Sequence, residues 1–287
     1  MGLFDQLVDE ALRFRADLAT LRSVVEKELL HHDILREMSG AGLLAGLTFI
    51  GGTCLRACYG SPRLSEDLDF TGGSGFRKQD LTALARVLTE RLHVRYDLPV
   101  HVSEPVKTGG TVSTWKLTIE TRPGRPHLPS QRIHVDICAI PSHDPRPMML
   151  RTLYGVDLGT SGLILQAQSR EEILADKIIA LAFRDTRLKN RDLWDIAWLV
   201  QQGVMLPAAL IPVKIADHQR ERSEFSERLR ERVQSLKTDP VTHHDFLREM
   251  QRFLPAATVR DTLAQPSWWE YLSSVLEDQE RLALAAL

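Results

Sequence analysis

Apolar residues recur at helical spacing from the start of the chain. Phe4, Leu7, Val8, Leu12, Phe14 and Leu18 predict a helix over residues 4–18, and Leu21, Val24, Val25, Leu29 and Ile34 a second over 20–38. The period then shortens. Residues 47–50, LTFI, form an apolar run stopped by Gly51-Gly52, which predicts a strand ending in a glycine turn. A short helix is expected over 53–59, a strand over 66–70, and a helix over about 77–92, where Leu81, Leu84, Ala85, Leu88 and Leu92 share a stripe. Residues 99–104, 111–120 and 131–140 alternate or run apolar as strands do. In the last of these, Ile133, Val135 and Ile137 take one face, and His134 and Asp136 the other. The proline- and glycine-bearing stretches 121–130 and 141–147 read as loops.

From about residue 169 the signals are helical. Ser169-Arg170-Glu171-Glu172 matches a capping box ahead of Ile173 and Leu174. Helices are expected at 170–185, 190–202, 207–216, 219–236, 243–253 and 266–285. The architecture so predicted is α+β: a mixed sheet flanked by helices in residues 1–165, then an all-α region over 166–287.

Composition narrows the class. The 287 residues are 43% hydrophobic, enough for one large domain or two modest ones. The net charge is −2, so a nucleic-acid site would have to be a local patch. Cys54, Cys58 and Cys138 fit no zinc module and predict a reduced, cytoplasmic protein, with the first two as small core residues. No apolar run reaches the roughly 18 residues of a membrane span, and the N-terminus lacks the apolar region of a signal peptide.

The candidate chemistry lies in residues 49–70, FIGGTCLRACYGSPRLSEDLDF. Gly51-Gly52-Thr53 at a strand-to-helix junction can cradle phosphate with backbone N–H groups and a hydroxyl. On a strand, Asp67 and Asp69 share a face about 6.6 Å apart. Repulsion between such acids is relieved by a divalent cation, and Mg²⁺ favours a few carboxylates together with water and phosphate oxygens. Asp136 can supply a third carboxylate, and a pair of cations could then serve an in-line displacement. Arg63 and Ser65, between the turn and the acids, can hold phosphate oxygens or order the acids. Further on, Lys177, Leu181 and Arg184 fall near one helix face, and Asp192 and Asp195 follow at i, i+3. Arg191 with Asp192 reads as ordinary salt bridging. Arg184, Arg187, Lys189, Asn190 and Arg191 form a local basic cluster able to hold an RNA backbone. The doublets His31-His32 and His243-His244 lack metal-site spacing and read as solvated or capping residues, and His134 is a candidate support for Asp136.

GGT followed by RLSEDLDF resembles the GS/GT turn and DxD element of the nucleotidyltransferase superfamily. The wider text resembles a narrower group, the AbiEii/AbiGii toxin family, which includes the MenT nucleotidyltransferase toxins. The resemblance spans most of residues 20–200, and ILADKIIALAFRDTRLKNRDLWDIAWL strengthens it with a lysine-bearing helix and an RDxxD element. It implies a nucleotidyltransferase-like fold and transfer of NMP from an NTP, with Mg²⁺ or Mn²⁺, to an acceptor hydroxyl. The leading acceptor is tRNA, with translation arrest the outcome; a protein or small-molecule hydroxyl is the alternative. Asp67, Asp69 and Asp136 are implied metal ligands, and Gly52, Thr53, Arg63, Ser65 and Lys177 are the nucleotide-binding set. Lys177 corresponds to the family's nucleotide-contacting lysine and Asp195 to its late essential aspartate, orienting either Lys177 or the incoming hydroxyl. The implied partner is a cognate antitoxin, AbiEi-like or another transcriptional regulator. Intact acids and lysine argue against a non-catalytic protein that merely kept the fold.

Overall fold

The computed structural model describes residues 2–105, 111–124, 129–184, 188–238 and 240–287. The chain divides into two compact units, residues 1–168 and 169–287.

Helix α1 (Leu3–Phe14) packs on α2 (Arg22–Gly40) in the first unit. Strand β1 (Thr48–Ile50) leads into α3 (Gly51–Tyr59), then β2 (Leu68–Thr71) and α4 (Leu84–Tyr96). Strands β3 (Val100–Ser103), β4 (Val112–Ile119), β5 (Gln131–Cys138), β6 (Pro145–Met149) and β7 (Ile164–Gln168) follow. The seven strands form one sheet in the order β3-β4-β5-β2-β1-β7-β6. It is mixed: β2 lies parallel to β5 and β1 to β7, while the other neighbours are antiparallel. The expected mixed sheet flanked by helices is therefore present.

Two elements depart from the sequence reading. The loop expected at 141–147 gives way to β6, and β7 carried no clear strand signal. Pro145 and Pro147 lack N–H donors, and β6 tolerates both because it is the sheet's edge, bonded only to β7. A further departure is His31-His32, read as solvated or capping residues but buried in the structure (2% and 4% exposed). Helix α2 is buried nearly all round, Glu26, Glu28 and Asp33 included, so its apolar stripe marked only part of what it packs.

The second unit holds α5 (Arg170–Phe183), α6 (Asn190–Gln201), α7 (Leu210–Asp217), α8 (Arg222–Thr238), α9 (Pro240–Met250), α10 (Ala256–Thr258) and α11 (Pro266–Leu284). Ser169 caps α5 by accepting from Glu172 N–H at 3.1 Å. Aromatic packing joins α6, α9 and α11: Trp194 stacks on Trp268 at 6.0 Å and Phe246 on Trp268 at 5.0 Å. His243 stacks on Trp269 at 4.5 Å, a packing role for a residue expected to be solvated or capping.

Candidate active site

The carboxylates are placed by sheet register. Asp69 on β2 lies opposite Asp136 on the parallel strand β5. Registered neighbours point to the same face, with strands about 4.8 Å apart. The alternation on β2 and β5 buries Leu68, Phe70, Val135 and Ile137 on one face and leaves Asp69 and Asp136 partly open on the other. Asp67 stands one residue before β2, although the strand predicted over 66–70 included it, and accepts from His134 N–H at 3.0 Å. The His134 ring lies 3.6 Å from the same oxygen, so this histidine supports Asp67 rather than Asp136. Asp136 Oδ1 is buried without a hydrogen-bond partner among the described residues. An unpaired carboxylate oxygen beside a second carboxylate is costly, and a cation would relieve it. Among the described residues, no three His, Cys, Asp or Glu side chains are gathered as a finished metal shell.

The glycine turn is fitted to these acids. Gly51 has φ +76, a region that favours glycine, and a Cβ there would meet Asp69 Oδ2 at 2.9 Å. A Cβ on Gly52 would collide with the guanidinium of Arg63. Arg63 is 2% exposed and donates to the Leu64 carbonyl at 2.8 Å, so it is no surface charge. Its guanidinium and the N-terminus of α3, which no side chain caps, offer positive character at one spot. The Thr53 and Ser65 hydroxyls lie 2.7 Å apart, and both residues are buried. Thr53 also hydrogen-bonds the Asp67 carbonyl. A carbonyl only accepts, so the Thr53 proton goes to Asp67 and the proton between the hydroxyls comes from Ser65. In this arrangement the two hydroxyls brace the acid-bearing loop.

Helix α2 braces the same loop from behind, through residues to which the sequence assigned no part in the site. Glu28 accepts from Ser65 N–H at 2.9 Å, from Arg56 Nε at 3.0 Å and from the Tyr154 hydroxyl. Burial opposes charge on Arg56, yet Glu28 outweighs it and holds the guanidinium above the ordinary arginine value. Burial, with Glu28 beside it, pushes the Tyr154 hydroxyl well up. His31 Nε2 meets the Glu66 carbonyl at 3.0 Å and Lys27 pairs with the Glu66 side chain at 3.0 Å. The available signal was the run of ionisable residues at positions 26, 28, 31, 32 and 33, which no single solvated helix face could hold.

Lys177 and Asp195 belong to the second unit. Asp195 is fully buried and its carboxylate lies 2.9 Å from Lys177 Nζ, close enough to orient the lysine. Asp192 pairs with Lys177 at 2.5 Å and with Arg184 at 3.2 Å, not with Arg191, which lies 3.6 Å from Glu249. Burial would raise the Asp192 pKa, but Lys177 and Arg184 overcome it and hold the carboxyl below its ordinary value. The expected basic cluster is thus engaged internally: Asn190 donates to Glu249 at 2.9 Å and Arg191 covers the Phe253 ring. Arg187 lies outside the described residues.

A glycine turn fitted to paired acids on a mixed sheet is an arrangement suited to metal-assisted chemistry on a nucleotide. The model of the family described as nucleotidyl transferase AbiEii toxin, type IV toxin–antitoxin system, matches residues 33–274. The chain belongs to that family and is a nucleotidyltransferase toxin of the type IV toxin–antitoxin class. Among solved structures it is similar to MenT4, a nucleotidyltransferase toxin from Mycobacterium tuberculosis H37Rv. That match has TM-score 0.66 and 17% identity, covering 98% of this chain and 94% of that one, and it supports the fold. JHP933 from Helicobacter pylori matches at TM-score 0.48 and 16% identity, covering 90% and 93%. A search of curated proteins gives no significant match. No helix among the described residues is long and apolar enough to cross a membrane.

Proposed function

We propose that this toxin transfers a nucleoside monophosphate from an NTP to a hydroxyl of tRNA in a Mg²⁺-dependent reaction. The observation that carries the reading is the registered Asp69–Asp136 pair, with its unpartnered Asp136 oxygen, beside the glycine turn.

Asp69 and Asp136 would hold the cation, with Asp67 adjoining through the oxygen not bound to His134. Mg²⁺ suits this donor set, because it takes one or two carboxylates and completes its shell with water and phosphate oxygens. When bound, it neutralises charge on the triphosphate and on the departing pyrophosphate. The N–H groups of Gly52 and Thr53 and the Arg63 guanidinium hold phosphate oxygens. Thr53 and Ser65 fix the loop that carries Asp67. Lys177 is assigned to the triphosphate on family resemblance, with Asp195 as its positioning partner. In the reaction the acceptor oxygen bonds to the α-phosphorus, the α–β bridging bond breaks, and pyrophosphate leaves. The hydroxyl proton passes to a neighbouring carboxylate. The antitoxin partner that the family implies is assigned as a transcriptional regulator.

The test is incubation with each labelled NTP, Mg²⁺ and total RNA, resolved on a gel. Label is expected on tRNA with the unmodified protein and at least 100-fold less with Asp69→Asn. Equal labelling by Asp69→Asn would remove the site, and label confined to protein or small molecules would remove tRNA as acceptor.

A further inference from the structure

The open face of the sheet continues past the carboxylates. From the register, Asp69, Asp136 and Thr114 form one row across β2, β5 and β4. The next row is His134, Lys116 and Ser103, and the third is Arg132, Thr118 and His101, across β5, β4 and β3. The alternation that buries Ile133, Val135, Trp115 and Leu117 on the opposite face turns all of these outward. Lys116, Arg132, His101 and Ser103 are exposed, and the His134 side chain is 43% exposed. Successive rows are about 6.6 Å apart, so Arg132 lies on the order of 13 Å along β5 from Asp136.

The charge on this face is uncompensated. Arg22, Arg36, Arg56 and Arg122 of the same unit each pair with carboxylates. Neither the Lys116 nor the Arg132 side chain has an ion-pair or hydrogen-bond partner among the described residues. They stand diagonally across β4 and β5, where side chains about 7–8 Å apart can engage neighbouring groups of one ligand. Within strands β2 to β5, the acids on this face are Asp69 and Asp136, at the end where the cation is assigned.

We propose that the β3–β4–β5 face is the track on which an RNA acceptor strand lies, with Lys116 and Arg132 on its phosphates and its reacting end at Asp69 and Asp136. This rests on the proposed function for the location of the reacting end and adds where the acceptor is held. A flat polar face with separated cations suits a phosphodiester chain, because such contacts position a strand without reading its sequence. Thr114, Thr118 and Ser103 between the cations add hydroxyls that can bond sugar and phosphate oxygens.

The experiment measures equilibrium binding of total tRNA to the full-length chain between 50 and 200 mM salt, alongside the labelling assay. The variant is Lys116→Gln/Arg132→Gln, and the control is Arg86→Gln, a cation on α4 already paired with Glu90. Losing two phosphate contacts should weaken binding on the order of 10-fold and make the slope of log K against log salt shallower by about 1.4. Over that salt range, about 7-fold of the salt sensitivity then disappears. The KM for RNA should rise with kcat at saturating RNA retained, and Arg86→Gln should change nothing. A double variant that binds tRNA with the affinity and salt slope of the unmodified protein overturns the track, even where tRNA labelling upholds the proposed function. If no RNA is labelled, binding still decides: loss in the double variant alone supports the track, and equal or absent binding overturns it. Binding of an acidic polypeptide in preference to RNA, lost in the same variant, also overturns it.

Discussion

Replacing Glu28 by glutamine tests whether α2 holds the acid-bearing loop in place. The carboxylate is 3% exposed and receives Ser65 N–H, Arg56 Nε and the Tyr154 hydroxyl. Glutamine keeps the shape but has one acceptor oxygen and sets an NH₂ against the remaining donors. The Arg56 charge, itself 3% exposed, would retain the Ser61 carbonyl at 2.9 Å but no carboxylate. Removing one partner of a buried pair costs about 3–5 kcal/mol, a large share of the roughly 5–15 kcal/mol that stabilises a domain. For a unit of this size that corresponds to about 6–20 °C in Tm. Scanning calorimetry measures the shift, and amide exchange of residues 63–67 shows whether the loop loosens. In Glu28→Gln/Arg56→Met the buried charge is gone, so the double variant should cost clearly less than the sum of the single ones. A cost below about 1 kcal/mol for Glu28→Gln, or full additivity, would refute the reasoning.

Three further outcomes follow from the geometry. Asp136→Asn removes a like charge opposite Asp69, so without Mg²⁺ it should stabilise the fold by about 0.2–1 kcal/mol while tRNA labelling falls at least 100-fold. Mg²⁺ should raise the Tm of the unmodified protein and not of this variant, and the reverse in a thermal-shift titration would count against the cation site. Gly51→Ala forces a side chain into a positive-φ position 2.9 Å from Asp69 Oδ2, at a cost of about 1–3 kcal/mol, and labelling should collapse at temperatures where the protein remains folded. His32, buried against Thr160, has its pKa pushed down to about 4 by burial. The unfolded chain takes up this proton near pH 6.5 and the folded chain only near 4. Stability is therefore full above pH 6.5 and falls by about 3 kcal/mol between 6.5 and 4. Chemical denaturation across that window should show the slope, reduced in His32→Gln; an unchanged slope would assign the acid sensitivity to other groups.

The amino-acid sequence determined the local chemistry and most of the elements. Periodicity located the helices of both units except the short α10, and strands β1 to β5, and Gly51-Gly52-Thr53 with Asp67 and Asp69 marked the candidate site, because turn geometry and alternation are properties of neighbouring residues. It did not reveal β6 and β7. PRPMM is a strand only as the bonded edge of a sheet, and ILQAQ only through its pairing with β1 and β6. The partners of the site were hidden for the same reason. That Asp136 stands opposite Asp69 depends on a parallel register between segments 67 residues apart. That Glu28 and His31 carry the acid loop depends on α2 packing behind it. Asp192 next to Arg191 in the chain suggested one ion pair, and the fold made another, because α5 and α6 bring Lys177 and Arg184 to the same carboxylate. Residue type and spacing fixed which groups could do chemistry; long-range register and burial decided which of them meet.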